Sequence, residues 1–442
     1  MTNGAAQKAL AVSIVRTLRG AGYVAYFTGG CVRDLLLGRS PKDFDVATSA
    51  PPDALLRLFP RAGQVGAHFG VVLVREQSAE GDRQVEVATF RSDLEYRDGR
   101  HPEGVAFETD PRKDVLRRDF TINALLFDPL TGEVLDFAGG RADLAAKIIR
   151  AIGDPEQRFR EDHLRLLRAV RFAVRLGFDI EPGTFAAIQR FAPLIHGISP
   201  ERVRDEIARI LTEGAARRGF ELLDATGLLR EVLPEVAALK GVAQPLEFHP
   251  EGDVWTHTLI MLEGLRNPPI TLALGVLLHD IGKPATFRIA ERIRFDGHVE
   301  KGIEIAHALL TRLRFPNNII EGAEALIANH MKFMDVPRMR ESTLKRFMRQ
   351  PDFEHHMELH RLDCLSSHGG LENYDFVRCK QAELPPEQLK PTPLLTGREL
   401  IAAGYKPGPM FGIVLSEIED AQLEGRISTL EEALQMARSR LD

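Results

Sequence analysis

The sequence predicts an α+β protein, a small mixed α/β head followed by a long all-α remainder. Two observations carry this. Between about residues 21 and 140 the segments "GYVAYFTGG", "FGVVLVRE", "RQVEVATF" and "TINALLFDP" are β-branched or aromatic and are punctuated by Gly, Pro and Asp, as strands are. From about residue 141 apolar residues recur at three- and four-residue spacing nearly to the end, which is the helical period. Breaks at "GISPERV", "GVAQPLEFHPEGD" and "LPPEQLKPTP" divide the helical part, and no internal repeat is present. The expected domains are a head over 1–140, a helical neck and body over 141–243, a further helical domain over 244–380 and a helical tail over 381–442.

Composition narrows the class. The 442 residues are 44% hydrophobic and 27% charged, ordinary for a soluble globular chain. No apolar run approaches the ~18 residues of a membrane span. The start, "MTNGAAQKALAVSIVRTLRGAG", reads as an amphipathic helix and not as a signal peptide. Cys31, Cys364 and Cys379 form no framework and no Cys-x-x-Cys pair, so a reduced cytoplasmic compartment is expected. The net charge of −6 excludes a wholly basic nucleic-acid coat and leaves room for a local basic groove.

The first chemical motif is "TGGCVRDLLLGRSPKDFDVAT", residues 28–48. Gly29 and Gly30 allow backbone N–H groups to approach a phosphate closely. "CVRDLLLG" reads as a short helix whose N-terminus favours that anion, and Arg33 adds a charge-assisted contact. If the segment around Phe44 is a strand, Asp43 and Asp45 share one face. Converging carboxylates are costly without a cation, and hard oxygen ligands suit Mg²⁺ holding a phosphate. An Asp-x-Asp pair alone is common, and a lone Gly-Gly is a turn. The combination closely resembles the nucleotidyltransferase signature of the DNA polymerase β superfamily. More narrowly it resembles the class II tRNA nucleotidyltransferase (CCA-adding enzyme) and bacterial poly(A) polymerase family, which implies a polymerase-β-like head.

That resemblance implies a third carboxylate from a neighbouring strand. In "QVEVATF" Glu86 faces away from Val85 and Val87 and is the candidate. "LRRDFTINALLFDP" matches the family's "RRDFTINA" motif almost letter for letter. Arg118 is expected on a triphosphate oxygen, and Asp119 and Asn123 on a ribose hydroxyl. The competing reading is a solvated turn with an Asn cap.

In "REDHLRLLRAVRFAVRLGF" Leu166, Leu167, Val170, Ala173 and Val174 share one helical arc, while Arg165, Arg168, Arg171 and Arg175 occupy the other. Most such stripes are solvated faces. Here Asp162 precedes Arg165 by three residues, which places them side by side on the helix. A carboxylate accepts and a guanidinium donates. Cytosine and adenine each offer an amino donor beside a ring-nitrogen acceptor, whereas uracil and guanine present the reverse. One Asp–Arg pair thus admits CTP and ATP and rejects UTP and GTP without a template. "EDHLR" resembles the family's Glu-Asp-x-x-Arg motif, which implies base reading by Asp162 and Arg165, with Arg168 and Arg171 as phosphate or base contacts. "ERVRDE", with Glu201, Arg202 and Glu206, resembles a motif that supports the base-reading helix.

The polar stretch from 90 to 110 resembles the flexible loop of enzymes that add all of C-C-A, and argues against C-C addition alone. Farther on, His257, His279, Asp280, His298, His330 and Asp363 fall on successive predicted helices. Imidazole with carboxylate suits a divalent or transition metal, and a metal-bound hydroxide can cleave a phosphoester. The set resembles the HD phosphohydrolase superfamily, with His257, His279, Asp280 and Asp363 as the core and His298 and His330 as further ligands. Trp255 is expected in the core, and the tail reads as a helix, a Gly/Pro turn and two helices.

The resemblance therefore implies template-independent CCA addition to tRNA from CTP and ATP, with Mg²⁺ at Asp43, Asp45 and Glu86. A poly(A)- or A-adding enzyme with the same site, an HD phosphohydrolase, and a non-catalytic RNA-binding protein are the alternatives. Oligomeric state is not legible.

Overall fold

The computed structural model describes residues 3–64, 70–78, 81–93, 104–245, 247 and 249–441. Two compact units are present: Met1–Ala237 with Arg312–Phe315, and Ala238–Thr311 with Pro316–Asp442. The ten loop residues 94–103, at the centre of the expected flexible loop, lie outside the described residues.

The first unit carries the strands. They are β1 (Ala25–Thr28), β2 (Asp45–Thr48), β3 (Gly63–Gln64), β4 (Val71–Ser78), β5 (Gly81–Thr89), β6 (Arg91–Asp93), β7 (Val105–Phe107), β8 (Leu125–Phe127) and β9 (Val134–Asp136). Seven form one sheet in the order β3-β4-β5-β2-β1-β8-β9, and β6 pairs with β7 apart from it. Only β2 and β5 run parallel within the large sheet. Their register sets Asp45 beside Glu86, while β1 sets Thr28 opposite Asp45. Alternation explains the faces: Val85 and Val87 are buried with Phe27, Val46 and Val72, and Glu86 is exposed. Helix α1 (Asn3–Gly20) buries Ile14, Val15 and Leu18 and packs across β1, β2 and β5.

The remaining helices of this unit begin with α2 (Gly30–Leu36), α3 (Pro52–Leu58), α4 (Pro111–Leu116) and α5 (Gly140–Ala146). They continue with α6 (Pro155–Glu161), α7 (Leu164–Leu176), α8 (Pro182–Phe191) and α9 (Pro200–Thr212). The predicted apolar arc of α7 is buried, and Gly177, at φ 73° in the left-handed region, closes the helix.

Three local expectations are corrected. Asp43 precedes β2 and is exposed, so the Asp-x-Asp pair straddles a strand start and does not lie within a strand. "TINALLFDP" opens as a 3₁₀ turn over Thr121–Asn123 before β8. The helix through Asp162 and Arg165 is broken. Asp162 is extended at the end of α6, and its Oδ1 accepts the Leu164 N–H at 3.1 Å. A short carboxylate competes with the helical backbone for N–H groups and favours such an end.

The second unit is helical, apart from a short two-stranded ribbon. Its central helix, Ile270–Leu278, is apolar all round and buries every residue from Leu272 to Leu278. Around it stand Val254–Gly264, Asn317–Asn329 and Phe353–Ser366. The tail forms Gly397–Ala402, Pro409–Leu423 and Leu430–Leu441 about Leu400, Val414, Ile418 and Ala433. Trp255 is buried in the core. Among the described residues no helix is long and apolar enough to cross a membrane.

Candidate active site and a histidine–carboxylate cluster

The first site is built on the edges of β1, β2 and β5. Gly29 ends β1 at φ 71°, where only glycine is unstrained. A Cβ there would sit 3.6 Å from Arg118 Nη1 and 3.9 Å from Asp45 Oδ2, so the turn, the arginine and the carboxylate lie close together. A Cβ on Gly30 would lie 3.5 Å from Arg33 Nη2. Burial, then the Glu86 and Asp43 carboxylates, push the Asp45 carboxyl up to about 6, with Arg118 opposing. That is the signature of like charges gathered in a half-buried place, and hard oxygen donors in that state fit a divalent cation.

Arginines surround this cluster in fixed poses. Buried Asp114 accepts from Arg118 Nη2 at 2.8 Å and from Arg117 Nη2 at 2.7 Å. Arg33 donates to Asn123 Oδ1 at 2.7 Å and to Asp34 Oδ1 through Nε and Nη2. Asp119 accepts from Arg168 Nε and Nη2 at 2.9 and 2.6 Å. Burial alone would raise the Asp119 carboxyl, but the Arg168 charge and the hydrogen bonds from Arg168 and Asn123 hold it down at about 2.

The α7 arginine stripe is not a solvated face. Arg165 and Arg171 are buried, and each arginine meets a carboxylate. Arg165 pairs with Glu161 at 2.7 Å, Arg168 with Asp119, Arg171 with Glu206 at 2.5 Å, and Arg175 with Glu213 at 3.8 Å. Asp162 and Arg165 are therefore not paired with each other. Arg202 holds Asp162 at 3.2 Å, and Arg165 also donates to the carbonyls of Arg158 and Arg117. The "ERVRDE" residues Arg202 and Glu206 thus brace Asp162 and α7, as expected, while Glu201 pairs with Arg314 at 3.2 Å. Arg171, expected as a phosphate or base contact, is enclosed against Glu206.

In the second unit His257, His279, Asp280, His298, His330 and Asp363 do converge. His257 Nε2 lies 3.1 Å from Asp363, and His279 Nε2 lies 3.1 Å from Asp280. His298 and His330 approach Asp280 at 3.8 and 3.9 Å. Gly282 makes the close packing possible, because a Cβ there would overlap the His298 carbonyl. Buried Nε2 atoms of His257 and His279 have no aligned hydrogen-bond partner, and imidazole nitrogens beside carboxylates fit a transition metal. Among the described residues, groups with ligand atoms within 4.8 Å of one another occur only in this unit. Asp43, Asp45 and Glu86 of the head are not among those groups.

Burial alone would lower the His257 imidazole, but the nearby Asp363 and Glu251 carboxylates push it up to about 9. Burial would raise Asp280, yet His279, Lys283 and His330 hold it well below the usual range. Burial, then the His279 charge, brings His330 down to about 4. Three residues here were missed in the sequence. Glu251 holds His257 Nδ1 at 2.7 Å and His249 Nδ1 at 2.9 Å, and Lys283 meets Asp280 at 2.7 Å. "HPEGD" gives no periodic signal, but Lys283 three residues after Asp280 was a readable one.

Residues 25–150 match the family described as "Poly A polymerase head domain". Residues 177–240 match "Probable RNA and SrmB- binding site of polymerase A", and 253–361 match "HD domain". The chain is 34% identical over 423 residues to the CC-adding tRNA nucleotidyltransferase of Thermus thermophilus, covering 92% of each. It is 31% identical over 430 residues to the CCA-adding enzyme of Levilactobacillus brevis, covering 96% of each. Among solved structures it resembles the Bacillus stearothermophilus CCA-adding enzyme in complex with CTP, with a TM-score of 0.75 and 29% identity, covering 100% of this chain and 99% of that one.

Proposed function

Since this chain belongs to the tRNA nucleotidyltransferase and poly(A) polymerase family, we propose that it adds C-C-A to tRNA 3′ ends from CTP and ATP, in the cytoplasm and without a template. The observation that carries this reading is the in-register pair Asp45–Glu86, with Gly29 and Arg118 against Asp45. Asp43, Asp45 and Glu86 would hold Mg²⁺, whose chemistry when bound is to lower the pKa of the attacking 3′-hydroxyl and offset charge on the leaving pyrophosphate. Gly30, Arg33 and Arg118 hold the triphosphate in line. Asp162 accepts from the amino group of cytosine or adenine, and Arg165 donates to the ring nitrogen beside it. Separate braces, Arg202 on Asp162 and Glu161 on Arg165, support a reading in which the two groups meet one base edge independently. We read the His257, His279, Asp280 and Asp363 cluster as a second divalent-metal site that supports a phosphohydrolase side activity.

A second reading, C-C addition alone, is favoured by the Thermus relative, which the chain matches over 92% of its length. One experiment separates them. A tRNA transcript ending at its discriminator base is given CTP, ATP, both, or UTP or GTP, and products are sized on a gel. Two residues from CTP and one more with ATP are expected. Arrest after two residues with both nucleotides present would favour C-C addition, and long A tails would favour a poly(A) polymerase. No extension would sink the transferase reading.

A further inference from the structure

We propose that Glu251 is a positioning residue of the histidine–carboxylate cluster: it holds the Nδ1–H of His257, so that Nε2 of that ring is the atom turned toward a divalent cation. This rests on the second metal-site reading above and names what orients one of its ligands.

An imidazole has two nitrogens, and what each one meets decides which can bind a metal. Three rings of the cluster share one solution. Nδ1 of His279 meets the Val276 carbonyl at 3.0 Å, Nδ1 of His298 the Phe295 carbonyl at 2.8 Å, and Nδ1 of His330 the Ile327 carbonyl at 2.7 Å. A carbonyl only accepts, so in each ring Nδ1 carries the proton and Nε2 is the lone-pair nitrogen of the neutral form. In each case the carbonyl belongs to the residue three places earlier, so the local chain supplies it.

His257 is held differently. Its Nδ1 lies 2.7 Å from Glu251 Oε1 and 3.3 Å from Ser366 Oγ. The Ser366 hydroxyl donates its own proton to the Asp363 carbonyl at 2.9 Å, so its oxygen, like the carboxylate, faces Nδ1 as an acceptor. Two acceptors at one nitrogen place the proton there. Nε2 is then left for the cluster. It lies 3.1 Å from Asp363, and it is buried without an aligned partner among the described residues. His257, His279 and Asp280 offer ligand atoms within 4.8 Å of one another.

The Glu251 side chain is 5% exposed, and its Oε1 also accepts from His249 Nδ1 at 2.9 Å. Its Oε2 is buried with no partner among the described residues. A buried acceptor left bare is costly, which points to a task other than holding the loop. A carboxylate behind an imidazole fixes the ring and makes its far nitrogen a stronger donor to a metal. The competing arrangement places an ion on His249, Glu251 and His257 themselves, whose ligand atoms also lie within 4.8 Å of one another. It needs Nδ1 of His257 bare, which the Ser366 oxygen opposes.

The test titrates Co²⁺ into metal-stripped protein and reads visible absorption, with bands lost in His279→Asn assigned to the cluster. Glu251→Gln keeps an acceptor without the charge and is expected to weaken Co²⁺ binding about tenfold, and Glu251→Leu about a hundredfold. Band positions should not change in either, because the ligands are the same. His249→Ala should weaken binding about threefold or less, since it touches only the carboxylate behind the ligand. Bands that shift in Glu251→Gln would make Glu251 a ligand, and wild-type affinity in Glu251→Leu would leave it without a role. Either result would overturn the proposal, as would loss of the bands in His249→Ala. If metal-free Glu251→Leu shows no cooperative melting, Glu251→Gln decides alone, and wild-type affinity there would overturn the proposal too. Wild-type protein without cluster bands would sink the metal-site reading instead. NMR of protein carrying ¹⁵N-histidine then decides the orientation. The His257 Nδ1–H, assigned with His257→Asn, should resonate at low field in the wild type and move upfield in Glu251→Gln. A resonance unmoved by that substitution would overturn the proposal.

Discussion

Asp45 in the head and Asp280 in the helical unit are both withdrawn from water, yet their carboxyls move in opposite directions. Burial pushes Asp45 up to about 6 with the help of Glu86 and Asp43. The same burial acts on Asp280, but His279, Lys283 and His330 overturn it and hold the group well below the usual range. The difference lies in the sign of the neighbours. One site gathers like charges on adjacent strands, which on our reading a bound cation would offset. The other interleaves imidazole, ammonium and carboxylate and is neutralised from within. Desolvation alone therefore does not identify a reactive carboxylate; the company it keeps does.

The same substitution should break that contrast open at Asp45. Asp45→Asn removes a proposed metal ligand, so transfer is expected to fall on the order of 10⁴-fold, the several kcal/mol that such charge stabilisation supplies. Folding should respond the other way. The folded-state carboxyl lies above its unfolded value, so its favourable contribution is full below about pH 4 and is lost as pH rises through about 6. At pH 8 wild type carries the repulsion, up to about 3 kcal/mol, and the Asn variant does not. Without added divalent metal the variant should melt higher at pH 8, and the gap should shrink toward pH 5. A variant that melts lower at pH 8 would remove the frustrated-site description of the head.

At Asp280 the sign reverses. Asp280→Asn leaves Lys283 buried without its counter-charge and His279 without its close carboxylate. Breaking one partner of a buried pair costs roughly 3–5 kcal/mol. The depressed carboxyl contributes stability above about pH 4 that is lost as pH falls toward the folded value, so the deficit should be full at pH 7 and shrink in acid. Melting curves at pH 7 with and without a chelator test this. A melting temperature equal to wild type in chelator would mean that the cluster is not neutralised internally.

The legible parts of both sites were those fixed by local spacing. The strand period put Glu86 opposite its flanking valines, and the Gly-Gly pair marked the turn between β1 and a short helix. The helical period found the buried arc of α7 and its arginines. Of their partners, Glu206 was expected only through a motif resemblance, and the pairing with Asp119 was not legible, because Asp119 lies far along the chain on another element. A period cannot say whether a charged stripe faces water or acid. Asp162 was misplaced for a different reason, since its carboxylate takes the Leu164 N–H and ends the preceding helix. In the second unit His-Asp adjacency pointed to the residues that converge, while Glu251, in an aperiodic loop, left no signal.

The smallest expected effect uses two buried rings. Phe172 is ringed by the guanidinium groups of Arg171, Arg168 and Arg33, at 4.2, 5.3 and 5.5 Å from its centroid. Phe333 is stacked on His360 with ring centroids 4.2 Å apart and planes 6° from parallel. Burial, partly opposed by the Asp363 charge, brings His360 down to about 4, so its partner ring meets no cation at neutral pH. Replacing either ring by Leu removes similar apolar contact and should lower stability by about 1 kcal/mol or somewhat more. Only Phe172→Leu also removes an aromatic face from arginines, an effect of about 0.5–2 kcal/mol. That variant should raise the KM for CTP several-fold, while Phe333→Leu should leave it within twofold at a matched loss of melting temperature. Equal KM changes in the two variants would mean that Phe172 fills space and does nothing for the arginines, and that their poses depend on Asp119, Glu206 and Asp34 alone.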